Sequence, residues 1–230
     1  ATLMDSMDRT SNGDGNSWSI SMWIKPDSNT AVQTLFVYGS GSAATAGAIA
    51  IKKVNANNIT VTYGTYSSAN IVTFGTAFTA NVWSHVLVTF DGGTTGNATA
   101  DLADYYSRFK VYVNGALTTT IGAQAGSGYT GSISGENTSD NIFRFGRNSN
   151  VHNEYFDGTM NSMAIWNSNQ TANAAAIYNS GTLHNLSNLS SPPSHYYEVD
   201  SSITTIDDEI GSADFTGYNF VSGDLVTDTP

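Results

Sequence analysis

The carboxylates and histidines of this chain set what chemistry it can do. Two-step hydrolysis of a glycosidic bond needs two carboxyls on one face, which alternate residues of a strand would supply as Glu-x-Asp-x-Glu. The Glu residues are Glu136, Glu154, Glu198 and Glu209, and no two share a strand at that spacing. Asp207-Asp208-Glu209 is the acidic run. Consecutive strand residues alternate faces, so it reads as a solvated turn. His85, His152, His184 and His195 are scattered, without the His-x-His or His-Glu-x-x-His spacing of a zinc site. No Gly-x-Ser-x-Gly elbow leads into a helix, and no phosphate-loop Lys follows Gly39-Ser-Gly-Ser or Gly126-Ser-Gly. No catalytic residue is assigned, and a non-enzymatic protein is expected.

The elements that must carry any site are strands. Trp83-Ser-His-Val-Leu-Val-Thr-Phe-Asp91 and Arg108-Phe-Lys-Val-Tyr-Val-Asn-Gly115 both alternate with period two. Val86, Val88 and Phe90 share one face, and His85, Leu87 and Thr89 the other. Phe109, Val111 and Val113 point one way, and Lys110, Tyr112 and Asn114 the other. His85 reads as a satisfied core or interface histidine. Asn114-Gly115 before Leu117–Ile121 is a hairpin signal, because a type I′ turn needs positive φ at both central residues. Trp18, Ile20, Met22 and Ile24 share a face of another strand, with Trp23 opposite. Met4–Arg9, Thr34–Tyr38, Ala48–Lys53, Asn58–Tyr63 and Ala69–Phe74 are further expected strands, and residues 92–107 and 122–140 are expected to be long loops. The helix expected over Ala172–Ser180 follows an Asn169-Gln-Thr cap region and stops at Gly181.

Composition narrows the partners. The 230 residues include no Cys, so no disulfide is available, and the net charge is −11 with only eight Lys and Arg. Nucleic acid and anionic membranes both require clustered cations, and Lys52-Lys53 is the one adjacent pair. No nucleic-acid partner and no membrane insertion are expected. No segment resembles a secretory signal, and the Ala1-Thr-Leu start is compatible with removal of an initiator Met or with a trimmed chain.

Trp83-x-His-Val-x-x-Thr-Phe-Asp91 followed by Tyr112-Val-Asn-Gly115 resembles the laminin-G-like (pentraxin-like) branch of the concanavalin A-like lectin/glucanase superfamily. Ser17–Pro26 is similar to that family's F-S-I-S-x-W-V-K-P strand, and Tyr155–Asn167 to its F-D-G-x-I-D-E-V-x-I-Y-N segment. The resemblance spans Met4 to Gly181. It implies an all-β, two-sheet antiparallel jelly-roll sandwich with one short helix near 172–180. Residues 1–230 are then a single laminin-G-like domain, with 183–230 as a C-terminal extension packing back on the sandwich.

The same resemblance implies where ligands would sit. A structural calcium at the sheet rim would use Asp157 with Asp140, Asn141 and Asn153, the hard oxygen donors this ion prefers. The alternative for Asp157-Gly158 is a plain turn, and Asn161-Ser162 stands where the family carries two acids. Carbohydrate platforms would be Tyr66, Tyr105, Tyr106 and Tyr129, whose other reading is as loop anchors.

The tail, His195-Tyr-Tyr-Glu-Val-Asp200, then Thr205-Ile-Asp-Asp-Glu-Ile-Gly211 and Asp228-Thr-Pro230, resembles a segment of tailed-bacteriophage structural proteins of the form W-x-x-x-D … T-I-x-D-x-x-G … G-T … D-T-P, with Ala213-Asp-Phe-Thr216 in place of its Asp-Gly-Thr. Tyr196-Tyr197 replaces its Trp. Two functions therefore stand. One is a non-enzymatic virion surface protein of a tailed phage, a capsid decoration or fibre-associated module. It would contact other virion proteins or copies of itself, and also glycans, with Met4, Met7, Phe220 and Val221 as attachment candidates. The other is an extracellular carbohydrate-binding or adhesive module of a secreted bacterial protein.

Overall fold

The computed structural model describes residues 17–29, 31–38, 48–64, 70–92, 107–124, 143–147, 154–200, 202, 204–218, 220–221 and 223–230. The first sheet contains β1 (Trp18–Pro26), β6 (Ser84–Phe90), β7 (Phe109–Val113), β8 (Ala116–Leu117), β11 (Gly158–Trp166) and β12 (His195–Tyr197), in the order β12-β11-β1-β6-β7-β8. The second contains β2 (Gln33–Tyr38), β3 (Ala48–Asn55), β4 (Asn58–Gly64), β5 (Asn70–Gly75), β9 (Thr120–Gln124) and β10 (Phe143–Phe145), in the order β10-β2-β3-β4-β5-β9. All pairings are antiparallel. Two sheets stacked face to face form the expected sandwich. The expected strand Met4–Arg9 lies outside the described residues.

Period-two alternation places the core. Trp18, Ile20, Met22 and Ile24 of β1, with Val86, Val88 and Phe90 of β6, face Phe36, Ile51, Val61 and Phe74 across the interior. Trp18 packs against Phe90 and Phe109 at ring-centroid distances of 5.8 and 6.2 Å. Losing such an aromatic side chain from a core costs about 3–5 kcal/mol.

The opposite face of the first sheet is buried as well, which half-buried strands would not show. Leu87, Tyr112, Ala164, Trp166 and Tyr196 pack against Ala174, Ile177 and Leu186 of the connecting segment. Hydrogen bonds staple that segment down. Ser19 Oγ donates to the Ser168 carbonyl and accepts from the Gln170 amide, both at 2.9 Å. Thr89 and Thr171 hydroxyls meet at 2.9 Å, and the Trp166 indole donates to the Ser191 carbonyl at 3.0 Å.

The helix is shorter than expected. α1 spans Ala174–Tyr178, with 3-10 turns at Thr171–Asn173 and Asn179–Gly181. Its stop is Asn179, at φ 49° and ψ 43°, whose amide donates to the Ala175 carbonyl. Asn tolerates this left-handed conformation, so the helix ends before Gly181.

Asn114 and Gly115 have φ of 50° and 74°, as a type I′ turn requires. The return strand, however, is only β8. Thr118 donates both its amide and its hydroxyl to the Val111 carbonyl, each at 2.8 Å, and the chain then leaves β7. The Gly75 amide takes the Thr119 carbonyl at 2.9 Å, and residues 120–124 join the second sheet beside β5. Leu117–Ile121 is therefore a crossover between sheets, and the loop expected from residue 122 begins as strand β9.

His85 is buried between Trp23 and Tyr178, with ring centroids 5.1 and 5.8 Å away. Its Nε2 meets Ser21 Oγ at 2.8 Å, while Nδ1 has no hydrogen-bond partner among the described residues. Half of the ring's hydrogen-bonding capacity is thus satisfied, less than a fully satisfied core histidine would show. Burial, and secondarily the His184 charge, lowers its pKa to about 3. The unfolded chain therefore binds more protons between about pH 3 and 6.5, so stability is complete above that window and falls as pH drops through it. Denaturation from pH 6.5 down to 4.5 should lose up to about 1.4 kcal/mol per pH unit from this group. His85→Phe should flatten that slope; an unchanged slope would remove His85 as its source.

Candidate functional site

A two-sheet sandwich has a seam along each side, where the edge strands of its sheets meet, and the two seams here differ. On one side, β12 and β10 are the edge strands. The tail closes this seam with the hairpin of β13 (Thr205–Ile206) and β14 (Phe215–Thr216). Phe215 wedges between Phe143, Phe145 and Tyr197 at ring-centroid distances of 5.0, 5.6 and 4.1 Å. Ile206 is buried beside it.

A single carboxylate holds the hairpin in place. The Asp208 side chain is fully buried and lies 2.7 Å from His195 Nδ1. It also accepts from the amides of Tyr196, Ala213 and Ile210 at 3.1, 3.2 and 3.3 Å. Burial alone would raise its pKa, but the His195 bond and the backbone amides outweigh it and hold the carboxyl below its usual range. A Cβ on Gly211 would lie 2.3 Å from Asp208 Oδ2 and 2.9 Å from His195 Nδ1. The Asp-x-x-Gly spacing is therefore steric. Asp208 is no solvated turn residue, which corrects the expectation from sequence.

The opposite seam lies between β7–β8 and β5–β9. β8 ends at Leu117 opposite Tyr112, so among the described residues no strand pairs with β7 at Phe109 and Lys110. Across the gap lie β5 and β9. The result is a depression of about 340 Å³ lined by Phe74, Phe109, Leu117, Thr118, Thr120, Ser107 and Lys110. A second, of about 410 Å³, shares Leu117 and Thr118 and runs on past Thr119, Thr76 and Asn114. Leu117 and Ile121 are 56% and 57% exposed. An apolar and hydroxyl-lined depression suits a ligand that has one apolar face and many hydroxyls.

Of the ligand-site residues proposed from sequence, only Asp157 is described, and it does not line this groove. Tyr66, Tyr105, Tyr106 and Tyr129 lie outside the described residues, as do Asp140, Asn141 and Asn153. Asp157 is exposed, and its backbone carbonyl accepts from the Asp27 amide at 2.9 Å. Among the described residues no three His, Cys, Asp or Glu come together to hold a metal, and the donors expected beside Asp157 lie outside them. The groove residues escaped notice because the Thr118-Thr119-Thr120 run looks like strand, and only the crossover turns it into a rim.

The carboxylates fall elsewhere. Glu154 pairs with Lys52 at 2.6 Å. Glu198 accepts from the Tyr196 hydroxyl. Partial desolvation, then the charges of Glu198, Asp200, Asp207 and Asp208, raise the Glu209 pKa. That acidic patch belongs to the tail, at the closed seam. Among the described residues, no helix is long and apolar enough to cross a membrane.

Facing antiparallel sheets with a short helix packed outside one of them define a lectin-type β-sandwich. Residues 5–176 match a laminin-G family model described as Concanavalin A-like lectin/glucanases superfamily, and the chain belongs to that family. No curated protein matches it. Among solved structures, a candidate carbohydrate binding protein from Bacteroides ovatus ATCC 8483 superposes with a TM-score of 0.53 at 17% identity, covering 89% of this chain. This chain spans 52% of that protein's length. A heptameric pentraxin from Limulus polyphemus gives 0.44 at 14% identity, over 77% of this chain and 83% of its own. Tailspike protein 2 of Escherichia coli O157:H7 bacteriophage CAB120 gives 0.47 at 13%, over 78% and 23%. At these identities the likeness is one of fold.

The tail latch leads to a test. Asp208→Ala leaves His195 and three amides without their acceptor, at a cost of about 3 kcal/mol. Hydrogen exchange should speed up in residues 204–216 well before the strands of either sheet. Uniform exchange across the chain would mean that the tail is no separate unit.

Proposed function

We propose that this chain is a non-catalytic carbohydrate-binding module whose glycan lies in the groove beside β7 and β8. The observation that carries the reading is the groove itself: among the described residues, an apolar and hydroxyl-lined depression in a lectin-type sandwich whose other seam is plugged. The Bacteroides ovatus structure is named for carbohydrate binding and agrees with this reading. The raised Glu209 is remote from the groove, and among the described residues no strand presents two carboxyls to it.

Binding of the full chain to a glycan array, followed by calorimetry on the hits, tests the reading. Leu117→Ser should weaken the best hit at least tenfold, about 1.4 kcal/mol, with the melting temperature held. An array with no signal above background would defeat the proposal. Release of reducing ends that Glu209→Gln abolishes would replace it with an enzyme.

The tail supports a second, compatible reading, in which the module is displayed on a tailed-phage particle. Tyr218, Phe220, Val221 and Val226 are all exposed, with Phe220 at 52% and Val221 at 65%. Contacts tether the segment on either side of them. The Arg147 guanidinium stacks 3.9 Å from the Tyr218 ring centre, and Lys25 pairs with Asp228. Apolar side chains held in this way offer an attachment surface to another virion protein or to a second copy. Met4 and Met7, the other attachment candidates, lie outside the described residues. Mass spectrometry should find the chain in purified particles, with fewer copies for Phe220→Ser/Val221→Ser. Secretion by uninfected cells, with no particle association, would leave the extracellular adhesive module.

A further inference from the structure

We propose that Asn114-Gly115 is a latent modification site: Asn114 converts to aspartate or isoaspartate only when its hairpin turn opens, and Tyr178 is the clamp that keeps the turn closed. The chain holds two Asn-Gly pairs, Asn12-Gly13 and Asn114-Gly115, and the second lies among the described residues. Such a pair is chemically weak because glycine has no side chain to shield its amide nitrogen. That nitrogen, on giving up its proton to a base in the solvent, attacks Asn114 Cγ. The bond from Cγ to the side-chain nitrogen breaks, and ammonia leaves, taking the proton back. Water then opens the five-membered imide at either carbonyl. The product is aspartate or, with the main chain rerouted through Cβ, isoaspartate. Asn114 is exposed, so base and water both reach it.

The folded turn works against the first step. Ring closure needs the Gly115 nitrogen to eclipse Asn114 Cβ about the Cα–C bond. The φ values of 50° and 74° mark a type I′ turn. Its first central residue has ψ of about +30°, which puts the nitrogen nearly opposite Cβ. The peptide between the two residues must therefore flip before the bond can form. Two hydrogen bonds resist the flip: Asn114 Oδ1 accepts from the His85 amide at 2.8 Å, and the Asn114 amide donates to the His85 carbonyl at 2.9 Å. The Tyr178 ring crowds the turn as well, so close that a Cβ on Gly115 would lie 2.5 Å from it. Tyr178 is itself wedged against His85 and Trp23, at ring-centroid distances of 5.8 and 5.9 Å. The two products differ in what they leave. An aspartate still offers an oxygen to the His85 amide. Isoaspartate adds an atom to the main chain of a two-residue turn and makes the side-chain carbonyl part of the backbone. Asn114, Ala116 and Leu117 line the second depression, so conversion would remodel that surface and add one negative charge to a chain already at −11.

Peptide mapping by mass spectrometry, on the full chain held in mildly alkaline buffer, tests this, because it separates position 114 from position 12 and aspartate from isoaspartate. In guanidinium chloride Asn114 should convert readily. In the folded chain its rate should be at least about tenfold lower, the ratio being set by how seldom the turn opens. Tyr178→Ala should raise the folded-state rate several-fold while hydrogen exchange in β1 and β11 stays as in the parent chain. Tyr178→Leu takes its place if the alanine variant does not fold. Equal rates in the folded and unfolded chain would overturn the protection. An unchanged rate in a folded Tyr178 variant would remove Tyr178 as the clamp. A rise matched by faster exchange in β1 and β11 would do the same, by assigning the protection to the whole fold. No conversion in guanidinium chloride would overturn the site itself.

Discussion

Closing one seam of the sandwich with the C-terminal tail is the constraint from which the rest of this structure follows. Stacked sheets bury their facing sides but leave edge strands and interior side chains exposed along two sides. Here Phe215 fills the gap between β10 and β12, touching Phe143 and Phe145 of one sheet and Tyr197 of the other. The wedge holds only because Asp208 fixes the turn before it. A buried carboxylate without partners would cost more than the wedge contributes, and His195 with the backbone amides of the tail removes that cost. Gly211 is the residue whose missing side chain lets these groups meet.

The double burial of the first sheet is the second consequence. β12 extends that sheet beyond β11, and the chain on its way there from β11 must cross the outer face. That path lays α1 and its flanking turns over Leu87, Tyr112 and Trp166. Tyr178 then reaches the hairpin turn: a Cβ on Gly115 would lie 2.5 Å from its ring. The type I′ turn, the helix and the buried His85 thus form one packed unit, in which Gly115 is needed both for its positive φ and for its lack of a side chain.

At the other seam the chain crosses between sheets in two residues, Thr118 and Thr119, and among the described residues no strand pairs with the start of β7. Uncovered edges invite aggregation, which proteins counter with short strands and polar rims. β8 is two residues long, and the rim is built of threonines. The same devices that keep this edge from pairing with other chains make it a shaped, hydroxyl-lined groove.

Much of the sandwich could be read from local patterning. The alternation of Trp18, Ile20, Met22 and Ile24, the Asn114-Gly115 turn and the family motifs around Trp83 and Tyr155 all depend on neighbours a few residues apart, where periodicity and φ preferences act. The Asp208-x-x-Gly211 spacing was visible too, but its meaning was not, because the partner that buries the carboxylate is His195, thirteen residues away. The groove was invisible for the same reason. Thr118–Ile121 continues a strand-like pattern, and only long-range pairing, with Gly75 capturing the Thr119 carbonyl, diverts it to the other sheet. Lys110 could be assigned to the outward face from alternation alone. Local sequence thus determines which face a residue takes, and the pairing of distant strands determines what that face meets.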